Sequence, residues 1–303
     1  MTVRRQRQTT TGLAAARWAT VLALTLEVLL IHPSAAWAID PYRVTVGQLR
    51  LTRPDHVLAQ IDRILRKNRG SELFAFAEFA THGDAIDLAR VPYLKTDAQA
   101  KATADKWIGL TPTFAQVKAL ADKHGKALIV GCLEQASDRL VSRAYFYDPK
   151  TKQLAHYDKT HVHWTEKLLR PGKRLVPLDT RFGRIGLLIC YDLAFVEPTR
   201  VLALRGAEII VVVSAIPKAF AWKYPSRRLV GTAIFNQTYV IAANLGHTSR
   251  SPMGGHSEIL DAEGNPLAHL RHLGTGSISA RFDLATVKRW RADEIIDKYR
   301  HPE

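Results

Sequence analysis

Residues 183–195 read GRIGLLICYDLAF. An apolar run ends at Cys190 and passes at once into Tyr191 and Asp192, so the segment predicts a strand that breaks at a cysteine. The chain continues through a short helix over Pro198–Leu204 into EIIVVVSA (208–215), a second apolar strand. A strand, a helix and another strand in this order predict an α/β arrangement. Cys190, one of only two cysteines, is then either a small apolar filler or a nucleophile presented at a strand end.

The same alternation extends outward in both directions. YRVTVGQL (42–49) alternates as a strand, and from Pro54 the positions Val57, Leu58, Ile61, Ile64 and Leu65 keep helical spacing. LFAFAEFA (73–80) reads as a buried strand, Thr113–His124 as a helix, and ALIVGCLE (127–134) and RAYFYD (143–148) as strands. Downstream, Arg227–Asn236 reads as a helix and Tyr239–Asn244 as a strand. SEILDAEGNPLAHL (257–270) is a hairpin turning at Glu263-Gly264-Asn265, and Ser277–Phe282 is the last strand before a charged helical tail. No repeat or linker divides residues 39–303, which predicts one α/β domain there.

Composition bounds the partners. There are 303 residues, enough for a core without disulfides, and Lys plus Arg exceed Asp plus Glu by 43 to 28, a formal charge of +15. The basic residues are dispersed, and neither zinc-finger spacing nor an RNA-binding aromatic signature occurs, so nucleic acid is not expected as a partner. Cys132 and Cys190 cannot build a disulfide framework or a cysteine metal site. His161 and His163 would share one face of a continuing strand, but no acid or third ligand stands at partner spacing, so no metal is expected.

Residues 1–38 carry a basic start with four arginines, an apolar run over Trp18–Ile31 and the small-residue site Ala36-Trp37-Ala38. This plan predicts a cleaved secretory signal and export to the periplasm or medium. As a helix the run would reach only about 21 Å of a hydrocarbon core about 30 Å thick, and Glu27 lies within it, so a membrane span is not expected. An organelle transit peptide or a downstream start, with a cytoplasmic product, is the alternative.

Three residues have the chemistry of a thiol hydrolase. A thiol of pKa near 8.5 is only about 3% thiolate at pH 7, so a nucleophilic Cys190 needs a base or a nearby positive charge. The break after the strand puts the Tyr191 N–H near a helix start, where it would suit an oxyanion. Glu78 stands among Phe74, Phe76, Phe79 and alanines. It either reaches solvent from an edge or is buried with a raised pKa, as suits a general base. Lys159 in HYDKTHV (156–162) is by itself an ordinary lysine.

The order Glu, Lys, Cys along the chain resembles the nitrilase superfamily, the carbon–nitrogen hydrolases. The likeness extends through AEF (77–79), YFYDP (145–149), HYDKTHV, RPG (170–172), ICYDLAFVEPTRVLALRGAEIIVVVSA (189–215), NQTYVIAANLG (236–246) and GGHSEILDAEG (254–264), roughly residues 42–285. The resemblance implies a four-layer αββα sandwich, a catalytic triad of Glu78, Lys159 and Cys190, and a supporting Glu166. It implies no cofactor.

Within that family Cys-Tyr-Asp at 190–192 is similar to amidases, whereas Cys-Trp-Glu is typical of nitrilases. The expected substrate is a small linear amide. N-carbamoyl compounds and nitriles are the alternatives, with a silent scaffold as the different-class reading. The basic balance would suit a substrate bearing a carboxylate. The family also implies a homodimer or higher homo-oligomer, through the helix after the cysteine. Glu197 and Arg200 match a Glu-x-x-Arg pattern expected to form a scaffold ion pair, while Phe235 stands where many relatives carry an acid. Phe195 and Trp222 lie on segments that shape the pocket in relatives, with core packing as the alternative.

Overall fold

The computed structural model describes residues 41–52, 54–81, 114–136, 139–221, 225–249 and 252–293. The expected leader over 1–38 and Trp222 lie outside the described residues.

Alternation sets the layers. On β2 (Leu73–Phe76), Leu73 and Ala75 turn into the cluster between the sheets, and Phe74 and Phe76 turn outward beneath the helices. Burying each phenylalanine contributes about 1.5–3 kcal/mol. On α1 (Pro54–Lys67), Val57, Ile61, Ile64 and Leu65 form one buried stripe against that outer face, and α2 (Phe114–His124) packs beside it.

The first sheet has the order β12-β1-β2-β3-β4-β5. It contains β1 (Tyr42–Gln48), β3 (Ala127–Ala136), β4 (Arg139–Asp148), β5 (Gln153–Asp158) and β12 (Gly276–Phe282) besides β2. The second has the order β11-β10-β9-β8-β7-β6. Its strands are β6 (Leu178–Thr180), β7 (Gly183–Ile189), β8 (Ile209–Ser214), β9 (Tyr239–Asn244), β10 (Glu258–Leu260) and β11 (Pro266–His269).

Each sheet carries a parallel trio, β1-β2-β3 in one and β7-β8-β9 in the other, with antiparallel strands at its margins. The sheets face each other through β1 and β2 against β9, and β4 and β5 against β7. Helices α3 (Glu197–Leu204), α4 (Lys218–Ala221) and α5 (Pro225–Asn236) follow β7 and β8. α3 packs on β7 and α5 on β9 and β10, and α6 (Leu284–Asp293) ends the described chain. The expected αββα sandwich is therefore present, as one α/β domain.

Two expectations are corrected. The apolar stretch 73–80 is not one strand: β2 stops at Phe76, and Glu78 stands in a turn where Phe79 adopts φ 53°. The chain turns there because it must pass over Gly131 of β3, whose N–H donates to Ala77 O at 3.1 Å and whose carbonyl accepts from Ala80 N at 2.9 Å. Nor does β5 continue through His161 and His163. It ends at Asp158, and Asp192 draws the His161 N–H to its carboxylate at 2.8 Å, out of any ladder.

Candidate active site

Four components of the site stand just past the carboxyl end of a strand. Glu78 follows β2, Lys159 follows β5, Cys190 follows β7 and Ala215 follows β8. The first pair comes from one sheet and the second from the other. Ligands of open α/β sheets gather at such strand ends.

Cys190 opens a 3-10 helix, Cys190–Ala194, and has φ 47°. A non-glycine residue in the left-handed region costs about 1–3 kcal/mol and persists only where the surroundings hold it. Here the holding group is Asp192, fully buried, which accepts the Ile189 N–H at 2.9 Å and so closes the turn on the strand. The cysteine is thereby left partly exposed, while Cys132 is buried. Burial pushes the Cys132 thiol up to about 12, which makes it inert.

Glu78 and Lys159 are each 1% exposed and Glu166 5%, so their charges must satisfy one another. Lys159 Nζ donates to Glu78 Oε1 at 2.8 Å and to both Glu166 oxygens at 2.9 Å. Glu78 Oε1 also accepts from Ser142 Oγ at 3.1 Å, and its Oε2 from the Ala215 N–H at 3.1 Å. The carboxylate meets the Cys190 thiol as well, and the Ala215 N–H reaches the same sulfur. The structure thus brings Glu78, Lys159, Glu166 and Cys190 together.

The electrostatics follow from this enclosure. Burial pushes the Glu78 carboxyl up, against the pull of the Lys159 ammonium. Burial opposes the Lys159 charge, but Glu78, Glu166 and Cys190 outweigh it and hold the ammonium well above its ordinary pKa. Burial, and next the charge of Glu78, lifts the Cys190 thiol well above its usual range. The enclosure thus disfavours ionisation of the thiol, strengthens the Glu78 carboxylate as a proton acceptor and favours the charged form of Lys159.

A family model described as carbon-nitrogen hydrolase matches residues 40–292. The chain belongs to the carbon-nitrogen hydrolase family. A protein named deaminated glutathione amidase from Dictyostelium discoideum is 41% identical over 46% of this chain and 52% of its own length. A probable nitrilase from Schizosaccharomyces pombe is 27% identical over 76% of this chain and 82% of its own. Against several curated relatives this hydrolase spans about half of their length. Among solved structures, the C. elegans NitFhit protein superposes with TM-score 0.72 at 20% identity, over 86% of this chain and 65% of its own. An amidase of Nesterenkonia AN1 superposes at 0.66 and 21%, over 86% and 97%. At these identities the structures establish the shared fold.

Two supporting groups of this carbon-nitrogen hydrolase, Ser142 and Ala215, were not singled out in the sequence, and Asp192 was read only as part of Cys-Tyr-Asp. Asp192 accepts from Tyr157 Oη at 2.8 Å, Thr160 Oγ1 at 2.9 Å and the His161 N–H at 2.8 Å, which ties the cysteine turn to the lysine loop.

The histidines do not form a metal pair. His161 Nδ1 lies 3.0 Å from Asp192 and its ring stacks on Phe195 at 4.4 Å. His163 meets Thr165 and the edge of the Tyr191 ring. Among the described residues no group of three or more His, Cys, Asp or Glu could hold a metal ion. Phe195 is 37% exposed, so it is not core. The Glu197–Arg200 ion pair does not form: Arg200 Nη1 turns instead to Phe235 O at 2.8 Å and Asn236 Oδ1 at 3.3 Å, at the end of α5. A backbone carbonyl there takes the place of the acid that Phe235 lacks.

Proposed function

We propose that the protein hydrolyses a small linear amide to a carboxylic acid and ammonia or an amine, through a thioester on Cys190. The observation that carries this reading is the buried Glu78–Lys159–Glu166 ion cluster against a partly exposed cysteine.

Glu78 accepts the thiol proton as sulfur attacks the carbonyl carbon. Lys159 Nζ and the Tyr191 N–H receive the developing oxyanion, each such donor being worth about 100–1000-fold in rate. Glu78 then gives its proton to the departing nitrogen as the C–N bond breaks. Water, deprotonated by the same carboxylate, attacks the thioester, and the C–S bond breaks with the proton returned to sulfur. Glu166 keeps Lys159 charged and fixed throughout. Cys-Tyr-Asp favours amides, and the S. pombe relative named as a probable nitrilase keeps nitriles as the second reading.

Ammonia release is measured across amides, carbamoyl amino acids and nitriles, with Cys190→Ala and Lys159→Ala beside the wild type. Amide turnover lost in both folded variants is expected. Turnover of nitriles alone supports the second reading, and wild-type rates in Lys159→Ala reject the mechanism.

A homodimer is proposed on the apolar residues at the ends of the packed helices α3 and α5, where Val196 is 65% and Phe235 72% exposed. Sedimentation of wild type and Phe235→Lys tests it, with a monomeric wild type as the overturning result. Export is likewise proposed on residues 1–38. A mature N-terminus at Ile39 is expected, and an intact Met1 rejects it.

A further inference from the structure

A groove of about 530 Å³ opens beside the lysine loop. Thr160 and His161 form one wall, and Lys173, Arg174, Leu175 and Arg205 contribute to the rest. That volume suits a small molecule. Three permanent cations line it and none of its lining residues is an acid.

Three partly buried arginines elsewhere are neutralised. Arg143 pairs with Asp158 at 2.6 Å, Arg181 with Asp148 at 2.6 Å and Arg184 with Asp179 at 3.1 Å. Lys173, Arg174 and Arg205 are exposed and pair with no acid among the described residues. Arg205 Nη1 donates to the Leu175 carbonyl, which fixes one guanidinium on the wall in advance of any ligand. Uncompensated like charges in a concave wall focus a positive potential and concentrate anions.

The groove is also bonded to the catalytic lysine. Gly172 N–H, next to Lys173, donates to the Lys159 carbonyl at 2.8 Å. Gly172 is obligatory at that contact, since a Cβ there would stand 2.2 Å from Asp158 O. Thr160 and His161 are held by Asp192, two residues past Cys190. A ligand in the groove therefore touches the chain that sets the position of Lys159.

We propose that this groove is an anion subsite, beside the lysine loop and separate from the Cys190 side chain, that takes a carboxylate or phosphate group. The anion comes either from the remote end of the substrate or from a separate small molecule. The site itself stands on charge and shape; only its kinetic arms rest on the amidase reading.

Calorimetric titration of succinate and of inorganic phosphate into the full-length protein at low ionic strength tests it. Saturable binding is expected, at least 10-fold weaker in Lys173→Gln/Arg174→Gln and weaker again in the wild type as salt rises to about 0.2 M. Absence of binding to the wild type, or equal binding by the variant, overturns the subsite.

The source is read from kcat/KM for propionamide and for succinamate, its carboxylated counterpart. A fall of 10-fold or more for succinamate alone, carried by KM, assigns the groove to the substrate's own carboxylate. A change in propionamide turnover on adding succinate, seen in wild type and lost in the variant, assigns it to a separate anion. If neither amide is turned over while calorimetric binding persists, the amidase reading fails and the anion subsite stands.

Discussion

Gly131 stands so close to Glu78 that a Cβ on it would lie 2.5 Å from the Glu78 Cα and 2.8 Å from the Ala77 carbonyl. Both contacts are with backbone, which cannot rotate away. Gly131→Ala is therefore expected to displace the Glu78 turn and lower kcat by about 100-fold, the scale of a misplaced catalytic group. Steady-state kinetics beside circular dichroism checks this, and a fully active, folded variant contradicts it.

Glu166→Gln removes a negative charge that raises both Lys159 and Glu78. Both folded-state pKa values then fall. In the proposed mechanism Glu78 is ionised and Lys159 protonated, so the acid and basic limbs of the kcat/KM profile should both move to lower pH. A loss of kcat without movement of either limb would make Glu166 merely structural.

Asp192→Asn keeps shape but replaces an acceptor-only group with one that also donates. Four donors now converge on the carboxylate, from Tyr157 Oη, Thr160 Oγ1 and the His161 and Ile189 N–H groups. Leaving at least one unmatched should cost about 2–3 kcal/mol of stability. Denaturant unfolding reads the cost, and an unchanged midpoint would show the turn is held by other means.

Glu258 of β10 is buried beneath α5, with its Oε1 unpartnered among the described residues, and burial, against a hydrogen bond from Ser226, pushes its carboxyl up to about 7. With the folded pKa above the unfolded one, the native state binds more protons between about pH 4.5 and 7. Stability therefore falls as pH rises through that window, by up to about 3 kcal/mol, and levels off above it. Glu258→Gln should flatten this slope and be the more stable protein at pH 8. Parallel Tm–pH curves for the two would refute the assignment.

What could be read in the chain, and what could not, divides along distance. Strand and helix positions come from local alternation, and Glu78, Lys159, Glu166 and Cys190 from a resemblance in their order. Ser142 and Ala215, 64 and 137 positions from Glu78, carry no local mark because their contacts exist only once the sheets pack. The end of β2 was hidden for a similar reason. Ala77, Phe79 and Ala80 around Glu78 are as apolar as a strand, and the turn is imposed by β3 passing beneath. His161 and His163 alternate correctly for a strand, but a distant carboxylate outcompetes the ladder for the His161 N–H.

The site is divided between the two sheets, Glu78 and Lys159 on one and Cys190 and Ala215 on the other. Side-chain interdigitation and a few polar contacts, such as the Ala215 N–H to Glu78 and Tyr157 Oη to Asp192, keep those halves in alignment, and a slip by one residue, about 3.3 Å, would exceed the reach of those contacts. Turnover is accordingly a finer gauge of sheet-to-sheet alignment than any optical signal of backbone order. In a urea series, inactivation should run ahead of the loss of ellipticity.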